Sequence, residues 1–316
     1  MNHDVLVAGE CLVDFIPDRP GSLGDVERFD RRAGGAPANV AVRLASLGPP
    51  PWLWSRLGSD PFGDHLAATL KAHGIPERFV VRDPDAMTTL AFVAHDDDAD
   101  RSFTFYRDGT ADTRFEPGVV PEEVLADVEW VALGGVCLAT EPARTAMLDL
   151  ATRARENGCE VFFDPNARPE LWDGGFADAL ESACALATVL KATPEDLALA
   201  GIEGSPEALL EAMLELGGHT AVLTLGGDGA VASATDAAPW GPTEAVHHGY
   251  PVEVVDTTGA GDAFAAGVLR ALADGESLED ALAFANAAAA VATTSEGAMS
   301  APVDRDAVDE LRASGG

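Results

Sequence analysis

Lysine is almost missing from this chain: Lys71 and Lys191 are its lysines, and the 20 basic residues face 53 acidic ones. The formal net charge is −33, and the acid excess is spread along the sequence rather than gathered in one tail. No basic stripe exists to neutralise a phosphate backbone, which argues strongly against nucleic-acid binding. Distributed acid with so little lysine fits adaptation to high salt, where the screening length falls to roughly 3 Å at 1 M from about 10 Å at 0.1 M. Cysteine is scarce too. Cys11, Cys137, Cys159 and Cys184 lie far apart without a Cys-x-x-Cys spacing, and read as buried free thiols rather than disulfides or a zinc site. No apolar run is long enough to span a membrane. The sequence enters a strand-like run at residues 5–8 with no charged start and apolar signal core, so a cytoplasmic protein is expected. No linker or repeat interrupts the 316 residues, and a 47% hydrophobic content supports a substantial core, so residues 1–316 read as one domain.

What the chain does have is alternation. Residues 130–133 are strand-like, residues 142–157 form an amphipathic helical pattern ending at Gly158, and residues 160–163 are the next strand. Such alternation argues for parallel βαβ units. Residues 221–225 are another strand, closed by Gly226-Gly227-Asp228-Gly229. Residues 88–94 and 102–107 read as a hairpin around the acidic turn Asp96-Asp97-Asp98-Ala99-Asp100, itself a solvated loop rather than a metal site.

The segment Asp256-Thr257-Thr258-Gly259-Ala260-Gly261-Asp262 carries the most chemistry. Val252, Val254 and Val255 read as the end of a strand. Ala263, Phe264, Ala266, Val268, Leu269 and Leu272 continue with helical spacing, which puts Gly259, Ala260 and Gly261 at a helix N-terminus. Unpaired backbone N–H groups and the positive end of the helix dipole converge there and make a site for an anion such as a transferring phosphoryl group. Asp262, in the first turn, can accept a proton from an attacking hydroxyl. A plain strand-to-helix turn, with Asp262 favouring the dipole, is the alternative. Upstream, Gly9-Glu10-Cys11-Leu12-Val13-Asp14-Phe15 precedes Gly34-Gly35-Ala36-Pro37-Ala38-Asn39-Val40-Ala41. The Gly34-Gly35 turn lets backbone approach a ligand, while Asp14 and Asn39 offer acceptors and donors to hydroxyl groups; Asn39 could equally cap a helix.

These segments together resemble the ribokinase-like carbohydrate kinases across nearly the whole chain. The resemblance implies an α/β fold with a mainly parallel central sheet flanked by helices, and a small β-sheet lid built from about 14–34 and 88–115. It implies an ATP-dependent sugar kinase with Asp262 as general base and Gly259, Ala260 and Gly261 as the anion hole. Asp14, Gly34, Gly35, Asn39, Arg107 and Arg168 would orient the sugar. Phe105-Tyr106-Arg107 with Ala111-Asp112, and Asp164-Pro165-Asn166-Ala167-Arg168, are most similar to fructokinases, which implies fructose phosphorylated at the 6-hydroxyl. A 2-keto-3-deoxygluconate kinase, a ketohexokinase, or a catalytically silent sugar-binding or regulatory protein are the alternatives. Lys191, Thr224, Gly226, Gly227, Gly229 and Asn286 fall at the family's nucleotide positions, although Asn286 among alanines could face solvent. Pro194 stands where the family carries a magnesium-organising Glu, so a one-residue shift to Glu195 is expected; Thr193-Pro194-Glu195 also works as a helix start. ATP and Mg²⁺ are the implied cofactors. Asp256 and residues 295–298 fall near a place where some relatives bind a monovalent cation, so K⁺ is a further candidate. The open edges of a lid sheet suit a homodimer.

Overall fold

The computed structural model describes residues 3–95, 101–299 and 303–314. The acidic turn 96–100 lies outside them. A nine-stranded sheet runs in the order Thr243–His247, Ala230–Ala234, Thr220–Thr224, Val189–Ala192, Glu160–Asp164, Trp130–Gly134, Val5–Ala8, Trp52–Gly58, Val80–Asp83. From Thr220–Thr224 to Val80–Asp83 every pairing is parallel, and the first two strands add on antiparallel. Alternate residues feed opposite cores, as a strand period of two requires: Val5 and Val7 pack on one face, Leu6 and Ala8 on the other. Helices Ala36–Leu47, Ala260–Ala273 and Leu278–Thr293 cover the first face; Ala143–Glu156, Phe176–Cys184 and Pro206–Leu216 cover the second. Both faces being dry, these strands read as continuous apolar runs, which is why the βαβ alternation was legible.

A separate four-stranded sheet, Phe29–Gly34, Leu12–Pro17, Leu90–His95, Arg101–Tyr106, forms the lid. Phe15 stacks on Phe92 at 4.7 Å between ring centres, with Phe29 edge-on to Phe92. On the strand Arg101–Tyr106, Phe103 and Phe105 share the face that closes the cleft.

One expected element is absent. Residues 252–255 form no strand, and Val254 and Val255 are each 58% exposed. Their backbone is recruited elsewhere, since the N–H groups of Val255 and Asp256 both donate to the Thr293 carbonyl at the end of Leu278–Thr293. The helix after them starts where its spacing predicts, at Ala260.

Candidate active site

The parallel strands end at a cleft of about 360 Å³, walled by the lid on one side and by the start of helix Ala260–Ala273 on the other. In open α/β sheets this carboxyl edge is where ligands bind. Gly259 caps the helix in the left-handed region, φ +77°, and a Cβ there would fall 2.6 Å from the Cβ of Ala298. Glycine is thus required twice over, by the backbone angle and by the close approach. Gly259, Gly261 and Asp262 line the cleft, while the Ala260 N–H turns back to the Thr257 carbonyl at 3.2 Å.

Asp262 is half-buried, and loss of hydration raises its pKa above the ordinary carboxylate value; a hydrogen bond from Asn39 and the cations Lys191, Arg168 and Arg43 oppose the rise. Asn39 Nδ2 donates to Asp262 Oδ2 at 2.7 Å. The two predicted signatures therefore meet physically, 223 residues apart in sequence. Asn39 sits in the first turn of Ala36–Leu47 but does not cap it: the N-cap is Gly35, at φ +99°.

Asp14 also lines the cleft. A Cβ on Gly34 would lie 2.0 Å from its Oδ2, so the missing side chain is what makes room for the carboxylate. Burial pushes Asp14 up to about 7, with Arg168 acting the other way. Glu10, at the end of an apolar strand, is a cleft residue the sequence reading passed over. It accepts from the Ala36 N–H at 3.1 Å, and burial pushes it to about 7. Its signal was there: a carboxylate directly after Val5–Ala8 is an expensive residue to bury without a task.

Arg168 reaches the cleft from the loop after Glu160–Asp164. Asn166 adopts φ +39°, and its side-chain oxygen accepts from Arg168 Nη1 at 2.8 Å, with the guanidinium 5.2 Å over the Phe103 ring. Arg107 does not face the cleft. It is 7% exposed and donates through Nε to Asp112 Oδ2 at 2.7 Å, behind the wall that Glu10 forms. Its Nη2 is buried without a hydrogen-bond partner, so a donor remains for a ligand that reaches it.

Lys191 Nζ donates to Asp164 Oδ2 at 2.8 Å and lies 3.7 Å from where a Cβ of Gly261 would stand. Burial works against its charge, but Asp164, Asp196 and Asp262 together keep its pKa above the usual lysine value. Burial takes Asp164 up to about 6 despite the ammonium. Thr224 Oγ1 donates to the Ala192 carbonyl at 3.3 Å, and the turn after it leaves Gly226 and Gly227 with open space where side chains would be. Gly229, by contrast, is wedged against the His247 carbonyl.

Three further expected positions can be placed. Asn286 is buried rather than solvent-facing, and its Nδ2 donates to the Leu282 carbonyl of its own helix at 2.9 Å. Glu195 is exposed; the buried carboxylate is the next residue, Asp196, which accepts from the Ala167 N–H at 2.7 Å and from the Thr193 N–H at 2.9 Å. The spacing Thr193-x-x-Asp196 is a capping-box pattern, and the signal was overlooked in favour of the shifted Glu. Asp256 staples its own loop: Oδ1 accepts from the Thr258 N–H at 2.9 Å and Oδ2 from the Gly297 N–H at 2.9 Å, which joins it to the predicted 295–298 segment.

A helix terminus beside a half-buried carboxylate, opening on a lidded cleft, is the equipment of a small-molecule phosphotransferase. Residues 2–305 match the pfkB family carbohydrate kinase, and the chain belongs to that family. It is 35% identical over 306 residues to Fructokinase-1 of Oryza sativa subsp. japonica, covering 93% of each chain. Among solved structures it resembles the fructokinase of Xylella fastidiosa with bound ATP, at 29% identity, a TM-score of 0.87 and 99% coverage of both chains. A double mutant of the Vibrio cholerae fructokinase, in its fructose-, ADP- and potassium-bound form, matches at 30% identity and TM-score 0.83 over 98% of each chain.

Proposed function

We propose that this carbohydrate kinase is an ATP-dependent fructokinase that transfers the γ-phosphoryl group to the 6-hydroxyl of D-fructose. The observation that carries the chemistry is Asp262, half-buried at the helix start and held by Asn39 on the cleft wall. Asp262 takes the proton of the attacking hydroxyl, and its raised pKa brings it closer to the pH at which a base works best. The turn Gly259-Ala260-Gly261, with Lys191 beside Gly261, meets the charge of the transferring group, the Ala260 N–H exchanging its Thr257 carbonyl for the phosphoryl oxygens. Asp14, the Gly34-Gly35 turn, Asn39 and Arg168 orient the sugar, while Thr224, Gly226, Gly227 and Gly229 offer backbone to the nucleotide and Asn286 lies toward its base.

Mg²⁺ would be held chiefly by the phosphates of ATP, with the exposed Glu195 reaching it through water, and would supply charge neutralisation for the transfer; Asp164 is already paired with Lys191. Potassium is assigned to the neighbourhood of Asp256, whose carboxylate ties two loops together. A cytoplasmic location and a homodimer through the lid edge complete the proposal.

The choice of a neutral ketose over 2-keto-3-deoxygluconate rests on charge. Asp112 neutralises Arg107, and the cleft carries Glu10, Asp14 and Asp262 against Arg168. An acid sugar would bring a further carboxylate to that wall. A coupled assay with the two sugars in competition, and identification of the product, tests this: fructose 6-phosphate is expected, and a clear preference for the acid sugar, or a 1-phosphate product, overturns the assignment.

A further inference from the structure

Arg43 is among the largest fully buried side chains of the protein, yet nothing in the proposed chemistry uses it. It stands one helical turn after Asn39 on Ala36–Leu47, so both side chains leave the same face of that helix. Asn39 reaches Asp262, and Arg43 Nη2 donates to the carbonyl of Ala298. Ala298 is the residue whose Cβ occupies the space a side chain on Gly259 would need. The guanidinium thus sits under the anion-hole turn. It presses the 297–299 loop against Gly259 and places a fixed positive charge behind Asp262.

We propose that Arg43 is a positioning residue for phosphoryl transfer, a built-in cation that holds the Ala298 loop under Gly259 and stands behind Asp262 on the same helix face as Asn39. This rests on the assignment of Asp262 as the base. The groups facing Asp262 are Asn39 and Arg43 from helix Ala36–Leu47, Lys191 from Val189–Ala192, Arg168 and Asp164 from the end of Glu160–Asp164 and its loop, and Asp14 from the lid. Lys191 is shared with Asp164, and Arg168 with Asn166 and Asp14. Burial draws the Arg43 pKa down only to about 10, so it remains charged throughout the working range.

The sign of the effect follows. Removing the cation leaves desolvation of Asp262 less opposed, so its pKa rises and the base is protonated at pH values where the parent enzyme is active. The test is the pH profile of kcat/KM between pH 5.5 and 9 for the parent, Arg43→Met, Arg43→Gln and Arg43→Lys, with folding checked by circular dichroism. Arg43 is the weakest of the groups opposing desolvation at Asp262, so for Met and Gln the acid limb should move up by about 0.3–0.5 unit, which is about a 2–3-fold greater loss below the limb than on the alkaline plateau. Arg43→Lys keeps a charge and should keep the parent's limb. Gln retains a donor for the Ala298 carbonyl and serves if Met does not fold. A uniform loss at every pH, with the limb in place, would show Arg43 to be structural and overturn the proposal. Asp262→Asn, assayed alongside, separates the two ideas: near-parent turnover there sinks the base assignment itself, whereas an inactive Asp262→Asn with unmoved Arg43 limbs sinks this proposal alone.

Discussion

Asp262 makes opposite demands on its surroundings, since it must be dry enough to hold a raised pKa and charged enough to accept a proton. Asp262→Asn keeps the shape and the Asn39 contact but cannot accept the proton, so kcat should fall by about 10²-fold or more with small changes in KM for sugar and ATP. Steady-state kinetics decides it, and a variant with near-normal kcat would remove Asp262 from the role. Glu10 supplies a second test through pH. Its folded-state value is raised from 4.5 to about 7, so the folded chain holds that proton more tightly than the unfolded one. The stability this contributes is full below about 4.5 and is lost as pH rises through about 7. Glu10→Gln stays neutral, so its melting temperature should gain on the parent's between pH 5 and pH 8; scans in 2 M KCl suppress the general charge effect. An offset that is the same at both pH values would refute this reading of Glu10. Asp14, Asn39 and Asp262 were legible from sequence because their residue types sit in short stretches with their own turn chemistry. The pairing of Arg107 with Asp112 was not, because a contact between a strand end and the short helix after it is announced by no periodicity. The burial of Asp196 in place of Glu195 was hidden for a related reason, because a one-residue offset at a helix start decides which carboxylate is buried, and that depends on the Ala167 amide from a different strand's loop.

Among the elements, the turn into helix Ala260–Ala273 carries the greatest conformational demand. Gly158 and Gly259 both hold positive φ, +83° and +77°, but a Cβ at Gly158 meets nothing within 4 Å whereas one at Gly259 collides with Ala298. Gly158→Ala therefore isolates the cost of the left-handed angle, about 1 kcal/mol. Gly259→Ala should cost more than that and should also depress kcat by displacing the amides of the anion hole. Denaturant melts and kinetics on the pair check both parts, and equal stability losses would show that the Ala298 contact yields freely. The helix itself was readable from its 3.6-residue pattern, and the strands from their apolar runs. The failure at residues 252–255 is instructive because β-branched residues favour a strand only where a neighbouring strand has groups to offer. Here the sheet already ends at Thr243–His247, and the amides of Val255 and Asp256 find the Thr293 carbonyl instead. A three-valine stretch cannot report a partner that comes from the far end of a helix.

At the scale of the whole molecule, charge is the dominant unusual term. A net charge of −33 on 316 residues acts across about 10 Å at 0.1 M salt, and a folded domain's margin is only ~5–15 kcal/mol, so self-repulsion can absorb a large part of it. The 20 basic residues cannot offset the acid pair by pair, and several of their contacts, such as Lys71–Glu77 at 3.4 Å, are exposed and weak. Screening must come from solution. Raising KCl from about 0.1 M to 2 M shortens the screening length to a few ångströms, so melting temperature and activity should both rise. The same field repels anionic ATP at the surface, which makes the KM for ATP the quantity expected to fall most steeply over the first few tenths molar of salt. Generic screening does not distinguish the alkali ions, so matched NaCl should stabilise the fold comparably. A specific ion near Asp256 would instead add a gain for potassium that saturates at lower concentration. Thermal melts and initial rates in parallel KCl and NaCl series separate the two terms. A melting temperature that stays level or drops with both salts would defeat the salt-adaptation reading, and a rise with potassium alone would transfer the effect from the molecule's surface to a bound ion.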